Sequence, residues 1–241
     1  MNFELPPQPP PDAPEPLADP VADKAWDKWE NILLLGVISM LVTAGIILPG
    51  MMRSGSGHSS PYPYTDAINS IKQVNLAIIE FEMDYGTYPD ASTISAVQAK
   101  TGTTLALGSS NSNELFRQLI AAGATKSESV FWFKSSGTPR RPNGRLGSDA
   151  LAKGECSFTY IAGLSSSSDP AAPLVVAPVI PGTSKFDPKP LGGKAVVLRV
   201  DGSVKLEAID KHGEVIFRGM NLFDPRQLYW HGKTPDIKWP E

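Results

Sequence analysis

A catalytic or metal centre in this chain would have to draw on three histidines, one cysteine and its carboxylates. Nucleophilic chemistry needs a nucleophile, a base within hydrogen-bond reach and a group that orients the base. His58 sits in a Gly and Ser rich stretch, His212 beside a glycine in a turn-like segment, and His231 in the C-terminal tail. None belongs to a His-Glu-x-x-His pair, and the chain has no Gly-x-Ser-x-Gly elbow and no phosphate loop ending in Gly-Lys-Ser or Gly-Lys-Thr. Gly192, Gly193 and Lys194 read as a turn before a strand. Asp201 opens DGSVKLE, which offers too few closely spaced oxygens for a calcium loop and suits a tight turn. The expectation is a protein that is not an enzyme and carries no cofactor.

The remaining chemistry is electrostatic. Lys134, Arg140, Arg141 and Arg145 fall in a Pro and Gly containing stretch with no carboxylate before Asp149. Such a run is either a solvated loop or a docking patch for an acidic partner or an anionic surface, and docking of that kind weakens as salt screens it. The formal charge of −3 is divided unevenly. Residues 1–30 hold seven carboxylates against Lys24 and Lys28, a balance of −5, which leaves the rest of the chain slightly basic. That is too little for the broad basic field of a nucleic-acid binder, so no nucleic-acid partner is expected. With Cys156 alone, an internal disulfide is impossible and a cysteine-based zinc site is not expected.

What would position these groups begins with an uncharged run from Asn31 to Met52, bracketed by Glu30 and Arg53. At a rise of about 1.5 Å per residue, its apolar part and flanks can cross a hydrocarbon core of about 30 Å. Asn31, Ser39 and Thr43 are too scattered to give it the polar stripe of a core helix. A signal peptide would have a short basic leader and small residues at a cleavage site; here an acidic, proline-rich leader precedes the run and Pro49-Gly50-Met51-Met52 follows it. The run therefore reads as an uncleaved transmembrane helix in contact with the lipid bilayer, with Trp26, Trp29 and Arg53 as interfacial anchors. Lys and Arg near the two ends are almost balanced; the expected orientation is N-terminus cytoplasmic and C-terminal domain extracytoplasmic, at the cell membrane.

Residues 1–30 are too rich in proline and acid to bury a core and read as a disordered tail. Residues 53–64 form a Gly, Ser and Pro linker, and 65–241 are long enough for one domain. Ala67, Ile71, Val74, Ile78, Phe81 and Tyr85 recur every three or four residues, predicting a long amphipathic helix capped by Thr65 and ended by Gly86. NSNELFRQLIAAG predicts a second helix, capped by Ser112 or Asn113, with Leu115, Phe116, Leu119 and Ile120 inward and Gly123 as terminator. Strands are expected at Val130–Phe133, Ser157–Ile161, Leu174–Val179, Ala195–Val200, Val204–Ile209 and Val215–Phe217. Asp201-Gly202 marks a hairpin. A two-residue loop would pair Leu198 with Lys205; a three-residue loop would align Val196, Leu198 and Val200 with Ala208, Leu206 and Val204, which core burial favours. Asp224-Pro225 reads as a helix start, Glu80, Glu82 and Asp84 as a solvated face, and Phe223, Tyr229, Trp230 and Trp239 as a group packing back on the domain. The class is α+β: a single transmembrane helix, then a long amphipathic helix packed on an antiparallel sheet.

AINSIKQVNLAIIEFEMDYGTYP, from Ala67 to Pro89, resembles the soluble half of the first helix in bacterial pseudopilins and pilin-like proteins. AVVLRVDGSVKLEAI is similar to the strand, Asp-Gly turn and strand near the end of one pilin-like group, and NSNELFRQLIAAG and CSFTYIAGLSSSSDPAAPLVVAP resemble its middle. The resemblance spans most of residues 67–209. It implies a pilin-like fold and a role in assembly or interaction at the cell envelope, linked to type II secretion or pilus-like systems, with pseudopilins or other envelope proteins as partners. The alternative is a membrane-tethered ligand-binding domain or enzyme sharing that fold. Two features depart from the family: no Gly-Phe precedes Glu30 as a prepilin peptidase site requires, and Pro49, Gly50, Gly55, Gly57, Pro61 and Pro63 interrupt what would be a continuous helical stem.

Overall fold

A computed structural model describes residues 63–134 and 140–241. Nothing in the tail, the Asn31–Met52 run or most of the linker falls within these residues, and Trp26, Trp29, Arg53 and His58 lie outside them. No helix of the described residues is long and apolar enough to cross a membrane.

The long helix, α1, runs from Pro63 to Tyr85, two residues ahead of the expected Thr65 cap, because proline's fixed φ suits a first helical turn. It ends as the sequence indicates: Gly86 takes φ 76° and its N–H donates to the Glu82 carbonyl at 2.7 Å. Ala67, Ile71, Val74, Ile78 and Phe81 are wholly buried, and Tyr85 is half-buried, stacked on Phe81 with centroids 4.4 Å apart. A segment without a clear apolar period gives a turn at Ala91–Thr93 and helix α2, Ile94–Thr101. Helix α3 spans Ser112–Ala121, and its cap is Asn111, whose side chain accepts from Glu114 N at 2.9 Å. Neither Ser112 nor Asn113 is therefore the cap; Ser112 instead donates to the Phe158 carbonyl at 2.8 Å.

Five strands form an antiparallel sheet in the order β4-β3-β2-β1-β7: β1 Thr159–Ala162, β2 Pro173–Ala177, β3 Lys194–Arg199, β4 Val204–Ala208 and β7 Asp236–Lys238. β5 Ile216–Phe217 and β6 Met220–Asn221 make a separate ribbon. The stretch expected as a strand at Val130–Phe133 is a tight helical turn, Glu128–Phe131. Its aromatics are spent on packing, Phe131 stacking on Phe116 at 4.9 Å. Asp224 does not start an α-helix: its carboxylate accepts from Arg226 N at 2.9 Å and closes a turn instead.

Alternation along β3 divides two apolar layers. Val196 and Leu198 join the layer under α1, while Ala195 and Val197 join the layer containing Phe186, Val215, Leu222, Tyr229 and Trp230. Phe223, Tyr229 and Trp230 are buried and Trp239 packs beside them, so the C-terminal segment covers the sheet face opposite α1. Residues 200–203 connect β3 to β4, with Arg199 N donating to Ser203 O at 3.0 Å and Gly202 at φ 77°. Leu198 pairs with Val204 and Val196 with Leu206, two residues off the expected alignment yet with the same faces buried. Val200 leaves the ladder because its N–H donates to Ala172 O at 3.0 Å. Both apolar layers and every strand of the described residues lie within the compact unit Ser59–Glu241, which thus carries its own core.

Candidate functional site

The basic loop is built around two carboxyls that the solvent does not reach. Glu128 and Glu155 are each 0% exposed. Burying such a group without partners costs several kcal/mol, so what each one accepts identifies its role. Glu128 opens the turn that packs Phe131 into the core; its Oε2 accepts from Gly144 N at 2.8 Å and its Oε1 from Leu151 N. Glu155 Oε2 accepts from Ala152 N at 3.0 Å, and Oε1 takes the Arg140 guanidinium at 2.7 Å. From beneath, α3 completes the fastening: Arg117 donates to the carbonyls of Ala150 at 2.9 Å and Leu151 at 3.1 Å, and Asn113 to Leu151 and Ala152, both at 3.1 Å. Leu151 adopts φ 50° where these bonds converge. The loop backbone is thereby fixed at Arg140, Gly144 and Ala150–Ala152.

This arrangement divides the four cations expected to dock. Lys134, Arg141 and Arg145 are exposed and stand in none of the ion pairs among the described residues. Arg140 differs from them in that its guanidinium pairs with the buried Glu155, 15 residues on in sequence, and so tethers the loop. Lys126 and Lys153, which sequence reasoning missed, add exposed charge: Lys126 lines the same shallow depression as Leu146, and Lys153 follows the fastened Ala152. Their signal was weak, since each is an isolated lysine outside the basic run.

Of the groups weighed for chemistry, Cys156 and Asp201 serve the fold. Cys156 is fully buried, and burial pushes its thiol up to about 11, with its Sγ donating to Phe158 O at 3.4 Å. Asp201 Oδ1 accepts from Ser203 N at 2.8 Å inside the hairpin turn. His212 lies in a turn closed by Asp210, whose Oδ1 accepts from the backbone of His212 and Glu214 at 2.8 Å each; the Glu214 N–H foremost draws that carboxyl below its ordinary value. His231, at φ 50°, edges a cleft of about 320 Å³ with Asp169, Trp230, Lys233 and Asp236. No group of three or more His, Cys, Asp or Glu among the described residues could hold a metal ion. The acidic end of α1 is partnered, Asp84 to Lys100 at 2.9 Å and Glu82 to Ser166 N at 3.0 Å.

One further surface stands out. Opposite its buried stripe, α1 presents Leu76, Ile79 and Met83, which are 65%, 43% and 83% exposed. Their spacings of three and four put them on one side of the helix. The chain matches no family model, no curated protein and no solved structure.

Proposed function

We propose that this chain is a pseudopilin-like membrane protein, anchored by Asn31–Met52, whose extracytoplasmic domain assembles with other envelope proteins through α1. The exposed stripe of Leu76, Ile79 and Met83 carries the reading, because a helix already packed on a sheet has no need of large apolar groups on its other side. The sequence resemblance supports it through the order of long helix, short helix and Asp-Gly hairpin, and so does the α+β architecture. Disulfide trapping tests it: in membranes carrying the full chain, Met83→Cys is expected to form cross-linked species and Lys233→Cys is not. Equal cross-linking at both positions, or none at Met83→Cys, contradicts an α1 interface.

The cleft at Asp169, Trp230, His231 and Lys233 favours the second reading, a tethered ligand-binding domain. Its polar side chains beside an indole suit a small polar ligand. Slowed hydrogen exchange confined to residues 163–169 and 229–236 on adding envelope metabolites would support this reading over assembly.

A further inference from the structure

The loop fastened by Glu128 and Glu155 carries exposed cations and an exposed leucine, and a lysine from another part of the chain reaches the depression beside that leucine. Arg141 and Arg145 lie within the loop, Lys126 reaches the same depression of about 370 Å³ that Leu146 lines, and Lys153 follows where the loop rejoins the fold. Leu146 is 39% exposed, although the depression beside it is lined by Leu105 and Ile120, which are nearly buried. A loop fastened to the fold that carries unpaired cations and an exposed leucine matches what an interfacial membrane contact needs: attraction to anionic headgroups plus a small apolar insertion.

We infer that Lys126, Arg141, Arg145 and Leu146 dock the domain on the surface of a bilayer containing anionic phospholipid. The inference rests on the anchored reading above for its biological setting. Ten residues separate Met52 from Pro63, a covalent reach of at most about 40 Å, so a domain anchored through Asn31–Met52 stays beside the bilayer at high effective concentration. A weak contact suffices under that condition. Arg140 is not part of the docking set; its guanidinium is committed to Glu155.

The Ser59–Glu241 unit, which carries both apolar layers, allows the contact to be read without the anchor. Co-sedimentation would use vesicles of phosphatidylcholine and phosphatidylglycerol at about two to one, and vesicles of phosphatidylcholine alone. The unit is expected to pellet with the first at low salt, to be released by high salt, and to ignore the second. Each cation near an anionic surface is worth about fivefold in partitioning, so Lys126→Ser, Arg141→Ser and Arg145→Ser together should reduce it about a hundredfold. Leu146→Ser should weaken it further, with the unfolding midpoint unchanged as a check on folding. Equal pelleting with both vesicle types, no pelleting with the anionic ones, or an unaltered triple variant would overturn the inference. Binding to polyglutamate but not to anionic vesicles would also overturn it, in favour of an acidic polypeptide partner. Failure of the anchored reading shows separately, as release of the full chain from membranes by alkaline wash while the isolated unit still binds vesicles.

Discussion

Arg140 and Glu155 meet at 2.7 Å across a sharp boundary of exposure: the arginine side chain is 65% exposed and the glutamate 0%. The pair ties the start of the basic loop to the segment that leads into β1, while Glu128 ties its middle and end to the turn before β1. The carboxyls face inward with backbone N–H groups as their other partners. A change at either glutamate therefore acts on the fold, and a change at the exposed cations does not.

Glu128→Ala is expected to strip Gly144 N and Leu151 N of their acceptor and to lower stability by about 2 to 4 kcal/mol. Arg140→Ala removes a half-solvated partner, so screening reduces its cost to about 1 kcal/mol. Urea unfolding of the Ser59–Glu241 unit measures both. If Arg141→Ser destabilised as much as Glu128→Ala, the division between fastening and docking residues would be wrong.

Phe81→Ala should cost about 3 to 5 kcal/mol, since the side chain is wholly buried between α1 and the sheet and stacks on Tyr85. Met83→Ala, on the opposite side of the same helix, should change stability by less than about 0.5 kcal/mol. Thermal unfolding of the two variants reads the contrast directly; similar shifts would mean that α1 does not use these faces as described.

The long helix was legible because its apolar period is unbroken over 19 residues from Ala67 to Tyr85, and Gly86 could only be its end. The hairpin was legible in turn chemistry but not in register, since Val200 satisfies an apolar pattern inside the strand yet is drawn out of it by Ala172. Val130–Phe133 misled because aromatic and β-branched content suits a strand and a buried turn equally, and the backbone partners that decide between them lie far off, as Ser157 N donating to Phe131 O shows. For the same reason Arg140 looked unneutralised: Glu155 is distant in sequence and its burial is a tertiary fact. Asp224-Pro225 has the composition of a helix start, but Arg226 offers the carboxylate a closer partner.

The Asp224 turn gives a pH signature. The Arg226 guanidinium, then the Arg226 backbone N–H, hold the Asp224 carboxyl down to about 2, below the usual 3.8. A carboxyl whose folded value is depressed stabilises the fold above its unfolded value and loses that contribution as pH falls from about 4 towards 2. The stability difference between wild type and Asp224→Asn should therefore be constant above about pH 5 and shrink through this window. Acid titration followed by tryptophan fluorescence would register it, and a difference that grew on acidification would contradict the assignment.

The proposed anchor, Asn31–Met52, would hold the chain in the bilayer and leave the Ser59–Glu241 unit to act through its surfaces. Alkaline carbonate washing of membranes bearing the full chain tests it most directly, with the Ser59–Glu241 unit targeted to the same compartment alongside. The full chain should stay in the membrane pellet, because an apolar run of this length is not released by removing electrostatic contacts, and the shorter unit should wash off completely. Release of the full chain into the supernatant would contradict the anchor, and with it the proposed site of action.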